Sequence, residues 1–111
     1  MHALLLLVAL AAHRAPAPSP DQVSQAYFLY IQGRALDDND DLPAAAAKYK
    51  QALELLPNSA ELRAELAGIY AQQGAFDDAQ AEAERALALQ AGNRSAHRVL
   101  GLVQASEAQK T

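Results

Sequence analysis

From Pro20 onward, apolar residues return at three- and four-residue steps, the spacing that lines one face of an α-helix, and four polar or turn-forming stretches interrupt them. Ser19, Pro20 and Gln22 open the first helix with a hydroxyl cap, a proline in the first turn and a Gln placed to bond back to the cap. The pattern predicts this helix over 20–37, with Val23, Ala26, Tyr27, Tyr30, Ile31 and Gly33 spread over more than one stripe, as packing on two sides requires. Asp37, Asp38, Asn39, Asp40 and Asp41 then break the pattern. Asp41 is placed to cap a second helix over 42–56, whose Leu42, Ala45, Ala46, Tyr49, Ala52, Leu53 and Leu56 form one apolar face. Pro57 disfavours helical geometry at the residue before it and ends that helix. Asn58, with Glu61 three residues on, predicts a capping box for a third helix that carries Leu62, Leu66, Ile69 and Tyr70 to Gln73 and stops at Gly74. Asp77 and Asp78 open a fourth, with Phe76, Ala79, Ala83, Ala86, Leu87 and Leu89 as its apolar set and Gly92 as its close. Asn93 caps a fifth, showing Val99, Leu100, Leu102 and Val103, and no sixth has room before Thr111.

The whole pattern repeats. Residues 26–59 and 60–93 place small and bulky side chains at matching positions 34 residues apart: Gly33, Ala67 and Gly101 recur at one place, Ala45 with Ala79 at a second, Ala52 with Ala86 at a third. Short side chains there let paired helices approach closely, while Tyr49, Tyr70 and Phe76 fill the space between layers. A period of about 34 residues is that of stacked helical hairpins. The expected fold is all-α, an α-solenoid of two and a half hairpin repeats in five helices, with a domain over 20–111 ending in a single helix over 94–109. About three units are usual for such an array, so this one should be marginal in stability. The fifth helix suits a lid whose Arg94, His97, Arg98, Gln104 and Gln109 give a polar outer side. A leading fragment of a longer array is equally consistent with the pattern.

At these positions the chain resembles the tetratricopeptide repeats. The first copy holds Leu29, Gln32, Gly33, Leu36, Ala45, Tyr49, Ala52 and Pro57, where only Gln32 departs from the family pattern. The second holds Arg63, Leu66, Ala67, Tyr70, Ala79, Ala83, Ala86 and Ala91, lacking the first large apolar residue, the second-helix aromatic and the proline. His97, Leu100, Gly101 and Gln104 begin a third, and the resemblance extends from Ala26 to the C-terminus. It implies a non-catalytic module that binds a peptide or a partner's helix on a concave groove lined by the first helix of each repeat. On that reading Tyr27, Tyr30 and Arg34, then Glu61, Ala64, Gly68 and Ala71, then Arg98 face the groove. Two tyrosines beside an arginine suit binding anchors, although they equally suit packing under the N-terminal tether. The Lys and Asn residues of the family's clamp for C-terminal carboxylates are absent from these places. The rival expectation is structural: a segment that stacks on further repeats, in its own oligomer or in an assembly.

Composition narrows the chemistry. Of 111 residues, 51% are hydrophobic but only 5% aromatic, so Ala and Leu must fill the core. A net charge of −4 without a basic stripe gives no means of neutralising phosphates, which sets nucleic acid aside. There is no Cys. The acidic cluster fails as a calcium loop, since Leu42 stands where the sharp turn wants Gly and Lys48 where a bidentate Glu belongs. His2, His13 and His97 are too scattered for a catalytic triad or a metal pair, so neither enzyme activity nor a cofactor or metal is expected. Asn93-Arg94-Ser95 is formally a glycosylation acceptor, but a helix cap is the simpler role for Asn93. Residues 3–12, ALLLLVALAA, have the length of a signal-peptide core and are too short to span a bilayer. No Lys or Arg precedes them, so a buried helix turn or a misassigned start remains the alternative. Residues 13–19 alternate Pro and form an extended tether. A secreted or periplasmic location follows if the apolar run is a signal, and a cytoplasmic one otherwise.

Overall fold

A computed structural model describes residues 16–110. The candidate signal segment, residues 1–12, and the first residues of the tether lie outside the described residues. Five helices follow one another: α1 Pro20–Asp38, α2 Leu42–Leu55, α3 Ala60–Gln72, α4 Phe76–Leu89 and α5 Arg94–Gln109. Among the described residues there is no strand.

The ends of these helices have local causes. At α1 the Ser19 hydroxyl accepts from Gln22 N at 3.2 Å while Ser19 N donates to Gln22 Oε1 at 2.8 Å, a complete capping box. Asp41 caps α2, and Asn93 caps α5 by accepting from Ala96 N at 2.9 Å. Asp40 takes a left-handed φ of 61° in the turn between α1 and α2, a conformation that Asp tolerates better than most residues. Gly74 does the same after α3 at φ 77°.

Two expected caps differ. The cap of α3 is Ser59, not Asn58: its hydroxyl accepts from Leu62 N at 3.2 Å, which puts Leu62 at the third helical position and leaves Glu61 unable to return a capping bond. Glu61 instead lies in the first turn, where its charge favours the helix dipole. Nor does Gly92 close α4. That helix stops at Leu89 because Gln90 is extended (φ −147°, ψ 97°), so no left-handed residue is needed.

The helices stack in chain order. α1 packs on α2, α2 on α3, α3 on α4, and α5 on both α3 and α4, whereas no comparable contact joins α1 to α4 or α5. The array is therefore open, unlike a closed bundle. Its core falls into two clusters. The first gathers Tyr49, Leu53, Leu62, Leu66 and Ile69 with Ala26, Ala45, Ala46 and Ala52; the second is almost wholly alanine, with Val99 and Val103 from α5. Tyr70 touches both clusters and joins them.

One buried charge also holds the stack. Glu82, 8% exposed, accepts from Arg63 Nη1 at 2.9 Å and from Arg85 Nη1 at 2.6 Å. Arg63 also donates to the Pro57 carbonyl through Nε at 3.2 Å and Nη2 at 2.8 Å. The arginine that breaks the apolar pattern of the second repeat thus ties the α2–α3 turn to α4. Burying Glu82 is tolerable because both its oxygens are paired.

Candidate protein-binding face

Along α1 a spacing of three and then four residues puts Tyr27, Tyr30 and Arg34 on one side of the helix. The two rings stack with centroids 6.2 Å apart, and Tyr30 also meets the buried Tyr49 ring at 6.1 Å. Tyr30 is thus wedged against the core while Tyr27 stays 63% exposed. Among the described residues the tether does not cover Tyr27. Pro16, Ala17 and Pro18 lie instead along Val23, Leu55, Leu56 and Pro57, beside a cleft of about 570 Å³.

Arg34 Nη1 donates to the Tyr30 hydroxyl at 3.3 Å and stands 3.8 Å from Glu65 Oε1 of α3. One turn on along α1 and two along α3, Gln72 Nε2 donates to Asp37 Oδ1 at 3.3 Å, a second polar tie between the two helices. Burial raises the pKa of the Glu65 carboxyl above its ordinary value; Arg34 opposes that shift, Glu61 and Asp37 add to it, and Arg98 of α5 opposes it. The same carboxylate, after burial itself, raises the Tyr30 phenol. Arg34 is held protonated first by its bond to Tyr30 and then by Glu65. Half-exposed pairs of this kind contribute ~0–1 kcal/mol, so their main effect is to fix side-chain positions.

The sequence-predicted residues divide accordingly. Tyr27, Tyr30, Arg34, Glu61 and Arg98 carry accessible surface. Ala64 is only 2% exposed and belongs to the second core cluster, and Ala71 is half-buried against it. Nothing lies within 4 Å of where a Cβ on Gly68 would sit, so the face dips at that point. Sequence reasoning missed Glu65, Asp37 and Gln72. The available signal was register: Glu65 follows Arg34 by one repeat less one turn, which sets the two across the gap between α1 and α3.

Two hollows border the face. A polar one of about 440 Å³ lies between α3 and the start of α5, lined by Glu61, Ala64, Glu65, Arg94 and Ser95 among others. A smaller one of about 130 Å³ lies between α1 and the α2–α3 turn, with Val23, Ala26, Tyr27, Tyr30, Leu56 and Leu62 in its walls. Among the described residues no group of three or more His, Asp or Glu is arranged to hold a metal, and no helix is long and apolar enough to cross a membrane.

Hairpins stacked in chain order in an open array define an α-helical solenoid, a class whose elongated concave surface serves as its binding surface. A sequence model of the tetratricopeptide repeat matches residues 35–103, more than half of the chain, and the chain belongs to the tetratricopeptide repeat family. Repeats of this family generally mediate protein–protein interaction, and the family is generally non-catalytic. No curated protein sequence matches the chain.

Proposed function

We propose that this chain is a non-catalytic module that binds a peptide or a partner's helix along the side shared by α1, α3 and α5. The observation that carries the reading is the tethered group Tyr27, Tyr30, Arg34 and Glu65: stacked rings and a bonded guanidinium present contact area with little rotamer freedom left to lose on binding. Arg98 extends the same side onto α5. The test is a peptide-array screen with the full chain beside Tyr30→Ala and Arg34→Ala. Each substitution is expected to lower retention about tenfold or more, as loss of a central anchor does; unchanged retention in both removes these residues from the binding surface.

A second reading has its own support. Phe28 and Ile31 on α1 are 62% and 48% exposed, while Leu62, 34 residues after Phe28, is 5% exposed against the preceding hairpin. That face suits stacking on a further repeat or a second copy. Light scattering at several concentrations separates the two readings, because a constant monomer mass favours peptide binding and concentration-dependent growth favours stacking.

A further inference from the structure

One corner of the shared face has the dimensions and charge for a definite kind of side chain. The small hollow beside α1 is walled by Val23, Ala26, Leu56 and Leu62, with the stacked Tyr27 and Tyr30 rings along its edge. At about 130 Å³ it is far below the ~300–1,000 Å³ of small-molecule sites. An apolar cavity of about 150 Å³ accepts one benzene ring, so this volume matches a single large apolar side chain.

Glu61 is the one charged residue in its lining. Of the bases nearby, Arg34 stands against Glu65 and bonds Tyr30, and Arg94 lines the neighbouring polar hollow with Glu61 without closing an ion pair to it. Among the described residues Glu61 has no cation within ion-pair distance. Its place in the first turn of α3 explains why an acid is tolerated there, but a partnerless carboxylate at the mouth of an apolar hollow also offers charge complementarity to a base. The chain's net charge of −4 acts in the same sense.

Resting on the concave-face reading above, we infer that this corner selects a partner peptide in which a bulky apolar residue adjoins a lysine or arginine: the apolar side chain fills the Val23–Leu56–Leu62 hollow, and the base pairs with Glu61. The test is a position-scanning array of 12-residue peptides, probed with the full chain, Val23→Ser, Glu61→Gln and Glu61→Lys, with helix content checked by circular dichroism. Peptides pairing Leu, Ile, Met or Phe with Lys or Arg should be retained best. Glu61→Lys should weaken them about tenfold and favour Asp or Glu at the basic position, Glu61→Gln should weaken them about fivefold without that reversal, and Val23→Ser should relax the choice of apolar residue. Should Glu61→Lys unfold, the isosteric Glu61→Gln decides alone. Retention of peptides without a base, or a preference unmoved by Glu61→Gln, overturns the inference and leaves the concave-face reading standing. No retained peptide at all overturns both. Self-association that Val23→Ser abolishes gives the hollow to a second copy and likewise overturns it.

Discussion

The two hairpins meet one steric demand in opposite ways. In the first, Gly33 of α1 lies under the fully buried ring of Tyr49 of α2, so close that a Cβ on Gly33 would stand 2.6 Å from Tyr49 Cε1. In the second, the equivalent positions hold Ala67 and Ala83, both completely buried in a cluster that is almost all alanine. One pairing is nothing against a large ring; the other is small against small. What recurs every 34 residues is thus a close helix contact admitted by at least one short side chain, not a residue type and not a fixed volume. Gly101 makes the point from the other side: it holds the same register in α5, yet no atom lies within 4 Å of where its Cβ would be.

The largest expected effects attack the first pairing. Tyr49→Ala should cost ~3–5 kcal/mol of folding stability by opening a cavity, and Gly33→Ala should cost ~1–3 kcal/mol by forcing a methyl into the ring. The double variant recreates the alanine pair of the second hairpin, and its loss should fall at least ~1 kcal/mol short of the sum, because the new methyl enters the vacated space. Urea titration measures all three, and simple additivity would break the comparison. Smaller and of opposite sign is Gly101→Ala: with open space beside it and an interior helical position, it should gain ~0.5–1 kcal/mol and raise Tm. A loss there would mean that the flank of α5 is covered.

The smallest effect concerns the face between the hairpins. Burial raises the folded-state pKa of Glu65 above its ordinary 4.5, so the folded chain binds this proton more tightly than the unfolded chain. Its contribution to stability is therefore full below about 4.5 and declines as pH rises through the raised value. Glu65→Gln should flatten that slope in thermal melts taken across pH. At neutral pH the change should stay within ~1 kcal/mol, since relief from burying a charge offsets the lost Arg34 pair. An unaltered slope would place the burial penalty on another group.

Much of this could be read along the chain. The Ser19–Gln22 box, the Asp41 and Asn93 caps and the left-handed Gly74 depend on neighbours within a few residues, and each appears where the pattern put it. Tyr27, Tyr30 and Arg34 share a side for the same reason. Ser59 displaced Asn58 because adjacent cap-forming residues differ by one residue of helix phase, which local propensity hardly resolves. Gln32, the single departure in the first repeat, has an explanation across helices. Its counterpart Leu66 is 2% exposed beneath the preceding hairpin, and among the described residues no helix stacks on that side of α1, so a polar residue is tolerated there.

The sequence by itself therefore determined five helices, their order and the 34-residue register, because helix periodicity and capping are settled by residues three or four apart. Only the tertiary structure decided that Gly33 must yield to Tyr49, that Glu82 is buried between Arg63 and Arg85, and that Glu65 stands opposite Arg34. Those outcomes turn on distances between separate helices, which the summed side-chain volumes of the whole stack set together.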